Sequence, residues 1–234
     1  MRIVVVGQSG NVGTAVLRAL RSAPEVDSVL GIARRLPDRT SAPYQDADWA
    51  ALDISEPDEE SVVDTLATHF RGADAVVHLA WLIQPNRDRE LLRRTNVEGT
   101  RRVAAAVVRA GVPHLVVASS VGAYATVDDD ATRREDWPTT GIPTSHYSVD
   151  KAAQERVLDE LERDHPEVGV ARLRTALVFQ GDAGHEIVRY FVGPLAPVRT
   201  ALALAYAAHA VPADPGWLDM GMGAICSGST CPTT

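Results

Sequence analysis

Tyr147 and Lys151 stand four residues apart in the segment Tyr147-Ser-Val-Asp-Lys151, at the start of a run with a helical pattern. In a helix, residues i and i+4 share a face about one turn apart. An ammonium placed there favours phenolate over phenol and draws a pKa of about 10 toward neutrality. Such a tyrosine can exchange a proton with a substrate oxygen near neutral pH. The same spacing also decorates solvated helix faces, so the pair gains meaning from what accompanies it.

A glycine loop accompanies it. Gly7-Gln8-Ser9-Gly10-Asn11-Val12-Gly13 follows the apolar run Ile3–Val6 and opens a helical pattern. Gly7 suits a sharp turn, Gly10 lets backbone approach a pyrophosphate, and Gly13 lets the helix pack closely on the strand. The helix N-terminus adds unpaired amides and the positive end of a dipole. Gly7, Ser9, Gly10, Asn11, Val12 and Gly13 are therefore expected to cradle the phosphates of a dinucleotide; a tight turn without a ligand is the alternative. Past the loop, where an acid would bind a ribose 2′-hydroxyl, the chain reads Ala33-Arg34-Arg35. Guanidinium groups such as that of Arg34 suit a 2′-phosphate, which favours NADP over NAD. Two surface arginines after a strand are the other reading.

These residues need a scaffold, and short apolar runs alternating with longer helical patterns supply one. Strands are expected at 3–6, 28–32, 75–79, 114–118 and 169–173. Helices are expected at 12–21, from a cap at Ser55, at 88–110 ahead of Gly111, and at 144–164. Strand–helix alternation of this kind predicts an α/β fold, a doubly wound parallel sheet with helices on both faces.

With 234 residues, 45% hydrophobic and 23% charged, the chain has room for one sizeable domain. A formal net charge of -8 argues against nucleic acid as a partner. Cys226 and Cys231 are the only cysteines, which leaves neither a disulfide framework nor a thiolate metal site. Met1-Arg2 leads into a strand rather than a leader, and Ala201–Val211 is too short to cross a bilayer. A cytoplasmic location and no membrane partner are the expectation.

Six motifs in order resemble one family, the extended short-chain dehydrogenases/reductases of the NAD-dependent epimerase/dehydratase type. They are Gly7-x-x-Gly10-x-x-Gly13, Asp53-Ile54, His78-Leu79-Ala80, Asn96-Val-Glu-Gly-Thr100, Ser119-Ser120-Val-Gly-Ala-Tyr124 and Tyr147-x-x-x-Lys151. The resemblance implies a Rossmann-type NAD(P)-binding domain over residues 1–180, with 181–234 a shortened substrate-domain remnant. It implies that Asp53 and Ile54 flank the adenine, that Leu79 and Ala80 line the nicotinamide ribose, and that Asn96 lies beneath the cofactor. A helix-surface asparagine is an equally economical reading of Asn96, and His78 reads as a core histidine. By the same resemblance Ser120 holds the reacting oxygen, Tyr147 is the acid/base, and Lys151 tunes it and binds the nicotinamide ribose. Sugar-nucleotide dehydratases of the family carry an Asp-Glu pair where this chain has Val121-Gly122, which argues against dehydration by that route.

The implied activity is NAD(P)-dependent redox or epimerisation at a hydroxyl or carbonyl of a small-molecule substrate, a nucleotide sugar among the candidates. A cofactor-binding sensor without turnover and an inactive shortened family member are the alternatives. Relatives dimerise through the two long helices, so Val103, Val107, Val157, Leu158 and Leu161 are expected to serve either a homodimer contact or the sheet. Asp214–Met220 resembles a stretch from the far end of longer relatives, ahead of a degenerate tail.

Overall fold

The computed structural model describes residues 1–83, 88–176 and 178. Six parallel strands form one sheet in the order β3-β2-β1-β4-β5-β6. They are β1 (Arg2–Val6), β2 (Ser28–Ala33), β3 (Asp48–Ala51), β4 (Ala75–His78), β5 (His114–Ala118) and β6 (Gly169–Leu173). The helices are α1 (Asn11–Arg21), α2 (Glu59–Phe70), α3 (Arg89–Arg93), α4 (Gly99–Ala110) and α5 (His146–Asp164). The chain winds outward from β1 to β3, then returns to place β4 on the other side of β1. That reversal opens a crevice at the carboxyl ends of β1 and β4, where open α/β sheets take their ligands.

Both faces of β1 are covered, so its apolar run is continuous rather than alternating. Ile3 and Val5 join Leu17 of α1 on one face. Val4 and Val6 join α2, α4 and α5 on the other, with Phe70, Leu66 and Leu158 fully buried. Val103, Val107, Val157, Leu158 and Leu161 all belong to this second cluster. Of the two readings expected for them, packing within one chain is the one they serve.

Several boundaries correct the sequence expectations. Strand β3 was not foreseen: it is a sheet edge of four residues, two of them alanine, with β2 as its single partner. Helix α2 begins later than expected, because Asp58 caps it by accepting from Ser61 N at 3.1 Å, while Ser55 bonds Asp53 instead. Ser145 caps α5, so that helix starts at His146 rather than 144. The long helix around Asn96 is not uniform: Arg94–Glu98 widens into a π turn between α3 and α4.

Two compact units divide the chain, one of Met1–Thr126 with Trp137–Ala183, the other of Val127–Asp136 with Gly184–Thr234. In the second, Arg133 pairs with Asp129. The expected boundary at 180/181, the helix and the far-end stretch within 201–220, and both cysteines lie outside the described residues.

Candidate active site

The crevice begins with the turn after β1. Gly7 adopts φ of 89°, and a Cβ there would stand 2.5 Å from Ala80 N and 2.9 Å from Leu79 C. Only glycine allows both the left-handed turn and this approach to the chain leaving β4. At Gly13 an added Cβ would meet Gln8 O at 2.5 Å, so α1 rests directly on the loop backbone. Gly10 differs: its Cβ would meet only Gly7 O, at 3.4 Å, and Ser9 and Gly10 are exposed. The start of α1 carries no side-chain cap, so the amides of its first turn are left to other acceptors. A small-residue cradle open to solvent at a helix N-terminus fits a phosphate chain. Asn11, in that first turn, donates to Val178 O at 3.2 Å.

The adenine side of the expected site is less uniform. Arg34 and Arg35 are exposed just past β2, and no ion pair engages either among the described residues. Asp53 commits one carboxylate oxygen to Ser55, accepting from its N at 2.9 Å and its Oγ at 2.6 Å. Ile54 turns into the core against Gly99, and its carbonyl accepts from Arg102 at 2.5 Å.

Across the crevice, Leu79 and Ala80 are half-buried beside Gly7. Asn96, 2% exposed, is not a surface asparagine. From the π turn its amide accepts from Leu82 N at 2.7 Å and donates to Leu82 O at 3.0 Å. Both bonds fix the segment leaving β4, including Trp81.

Helix α5 brings the expected catalytic residues to this segment. Ser148 ties the helix to the short turn Val121–Ala123 by donating to Gly122 O at 2.5 Å and accepting from Ile142 N at 2.6 Å. Gly122 then sits between Tyr147 and Ser120: a Cβ on it would lie 3.1 Å from Tyr147 Cε1 and 3.4 Å from Ser120 Oγ. Ser120 is buried and accepts from Gly122 N at 3.0 Å, whereas Tyr147 is 40% exposed. Hence the two hydroxyl-bearing residues converge on one spot, with the tyrosine reaching solvent.

Lys151 departs from the simplest expectation. It is 3% exposed, and its ammonium donates to Ala118 O at 2.7 Å and Gln154 Oε1 at 3.1 Å. Nζ lies 6.0 Å from the Tyr147 ring centroid but only 3.5 Å from that of Trp81, and no hydrogen bond joins the lysine to the phenol among the described residues. Burial lowers its pKa to about 7, against an upward pull from Glu155. Behind it, Gln154 donates to Thr100 Oγ1 at 3.1 Å, and the Thr100 hydroxyl donates to Asn96 O at 2.7 Å. With that single hydrogen spent, His78 Nε2, 3.0 Å from the same oxygen, must carry the proton between them. His78 is held neutral, its pKa lowered to about 3 by burial and by the Lys151 charge. It is a core histidine.

A second buried cluster flanks the lysine. Glu155 is fully buried and accepts from Ser119, from Arg172 at 3.0 Å and from Arg174 at 2.9 Å. Burial pushes its pKa up, but Arg174, Ser119 and Arg172 outweigh it and hold the carboxylate at about 2. Arg89 grips the buried Asp150 with two bonds, one residue from Lys151. Sequence reasoning missed Trp81, Gln154 and Glu155. The last had a signal, since Tyr147, Lys151 and Glu155 repeat every four residues along one helix face.

The fold and crevice define a Rossmann-type dinucleotide-binding domain. The profile of the NAD dependent epimerase/dehydratase family matches residues 3–186, and the chain belongs to that family. It is 29% identical over 195 residues to an L-arabinose 1-dehydrogenase (NAD(P)(+)) of Haloferax volcanii, covering 79% of this chain and 70% of that one. It is 31% identical over 185 residues to an NAD-dependent glucose-6-phosphate dehydrogenase of the same organism, covering 74% and 66%. Among solved structures, MoeE5 in complex with UDP-glucose and NAD matches with 28% identity and a TM-score of 0.59, over 74% of this chain and 54% of that chain. A UDP-glucuronic acid 4-epimerase from Bacillus cereus shares the fold, with a TM-score of 0.64 at 20% identity over 81% of this chain and 62% of that chain. The chain thus spans between about half and 70% of the length of these relatives. Among the described residues no helix is long and apolar enough to cross a membrane.

Proposed function

We propose that this chain holds a nicotinamide dinucleotide across the ends of β1 and β4 and acts on a hydroxyl or carbonyl carbon of a small molecule. Oxidation, reduction and epimerisation all fall within this chemistry, with nucleotide sugars among the candidate substrates. The observation that carries the reading is the convergence of Tyr147 and Ser120 on Gly122, beside the glycine cradle. A bound dinucleotide supplies hydride acceptance or donation.

The remaining steps belong to the protein. Tyr147, as phenolate, takes the proton of a substrate hydroxyl; in the other direction its phenol returns it. Ser120 Oγ holds the same substrate oxygen. Lys151 donates to a ribose hydroxyl and lends positive charge to the phenolate. Val121 and Gly122 offer neither acid nor base, which argues against loss of water by the route that uses an Asp-Glu pair at these positions. The Asp53 carboxylate oxygen outside the Ser55 turn accepts from the adenine amino group, and Leu79 and Ala80 line the crevice wall. Arg34 grips a 2′-phosphate, making NADP the preferred cofactor.

Purified protein titrated with NADPH and NADH, then assayed on carbonyl compounds and nucleotide sugars, tests the reading. Tyr147→Phe is expected to lower turnover by about 10²–10⁴-fold while dinucleotide binding persists. Equal activity in both would refute the acid/base role. Arg34→Ala should weaken NADPH far more than NADH, and equal losses would overturn the preference for NADP.

A further inference from the structure

An ammonium has three hydrogens to place. Two of those on Lys151 face Ala118 O and Gln154 Oε1, at 2.7 Å and 3.1 Å. The remaining side is covered by Trp81, whose ring centroid lies 3.5 Å from Nζ, well inside the range of a cation–π contact. The indole edge also meets the Tyr147 ring, with centroids 5.9 Å apart and planes at 75°. Trp81 Nε1 is buried without an acceptor among the described residues, so no hydrogen bond of its own orients the indole. Its orientation comes from the lysine, the tyrosine and the Asn96 clamp on Leu82.

The donor that faces the indole is the one Lys151 has left for anything else. Glu155, one turn along the same helix, is paired with Arg172 and Arg174 and makes no hydrogen bond to the lysine among the described residues. His78 on β4 is neutral, and Asp150 is paired with Arg89. The phenol of Tyr147 sits beyond the indole edge. We propose that Trp81 is a positioning residue for Lys151: its ring face holds the ammonium off Tyr147 in the cofactor-free protein, and a dinucleotide must draw the ammonium from that face to engage it. The displacement rests on the cofactor reading above, whereas the resting contact does not. Burial away from water lowers the proton affinity of Lys151, and the ring face is the contact that offsets part of that loss. Trp81 thereby competes with the cofactor for one N–H and sets a threshold for assembling the proton-transfer site.

Fluorine NMR of the full chain labelled with 5-fluorotryptophan reads this directly, with the Trp81 signal assigned by its loss in Trp81→Phe. The Trp81 signal should titrate near pH 7 in the wild type, stop titrating in Lys151→Met, and shift when NADPH is added. By calorimetry, Trp81→Leu should bind NADPH about tenfold more tightly, since the contact to be broken is gone. Trp81→Phe, with a smaller ring face, should fall between, and it serves alone should the leucine variant not fold. A Trp81 signal that does not titrate, or titrates equally without Lys151, overturns the resting contact. Unchanged or weaker NADPH binding in both variants overturns the competition. A wild-type chain that binds neither NADPH nor NADH refutes the cofactor reading and the displacement with it, while the pH titration still judges the contact.

Discussion

Gly7, Gly10 and Gly13 shape one end of the crevice with main-chain atoms, whereas Lys151, Trp81, Gln154 and Glu155 shape the other with side chains buried against one another. At the glycine end each position is set by main-chain conformation and clearance, and the geometry follows from the β1–α1 turn. At the α5 end each group depends on the identity of its neighbours: Glu155 is tolerable in the interior because two guanidiniums and a hydroxyl surround it. The first end is local in sequence. The second draws on β4, the π turn, α4, β5, α5 and the chain after β6.

Breaking the side-chain end should cost most. Glu155→Gln leaves Arg172 and Arg174 without their shared carboxylate, and a loss of about 3–5 kcal/mol in denaturant unfolding is expected. A loss below 1 kcal/mol would mean that the cluster is relieved by solvent. At the backbone end, Gly7→Ala imposes a side chain on a left-handed turn and on Ala80 N, for a loss of about 3 kcal/mol. Gly10→Ala, whose Cβ would make one ordinary contact with Gly7 O at 3.4 Å, should leave stability nearly unchanged.

The pH dependence of stability separates the two ends further. His78 stays neutral in the fold down to about pH 3 but takes a proton below about 6.5 when unfolded, so stability falls as pH drops from 6.5 toward 3. Glu155 adds stability above its unfolded pKa of about 4.5 that disappears as pH falls toward 2, steepening the decline. Lys151 acts at the opposite limb. Unfolded it holds its proton to about 10.5, folded only to about 7, so stability rises with pH across that window. Urea unfolding at stepped pH should show all three trends, and Lys151→Met should flatten the alkaline one.

One modest change is expected to be a gain. Gln8 is fully buried, and neither amide atom has a partner among the described residues. Gln8→Met keeps the shape and removes the unsatisfied groups, so a rise of about 1–2 kcal/mol is expected by thermal unfolding. A loss instead would show that the amide is satisfied by water.

The contrast also explains what was legible in the sequence. Strands β1, β2, β4, β5 and β6 announce themselves as apolar runs, and the glycine loop as a spacing. Tyr147 and Lys151 were visible as a helical repeat, and Ser120 through the family resemblance. Trp81 and Asn96 were not legible in their roles, because their partners lie in the Leu82 backbone and on α5. The pairing of Glu155 with Arg172 and Arg174 was not legible, because only folding brings β6 and the chain after it alongside α5. Edge strand β3 was missed because alanine carries little strand signal.

The π turn at Arg94–Glu98 amounts to one residue more than an α-helix needs. Excising a single residue there would heal the helix into regular α geometry and would change how Asn96 is rotated about the axis relative to Thr100. Asn96 and Thr100 could then no longer face Leu82 and Gln154 together. An imperfection in the helix is therefore the phase adjustment that lets one element address the chain leaving β4 with its first half and the lysine's network with its second.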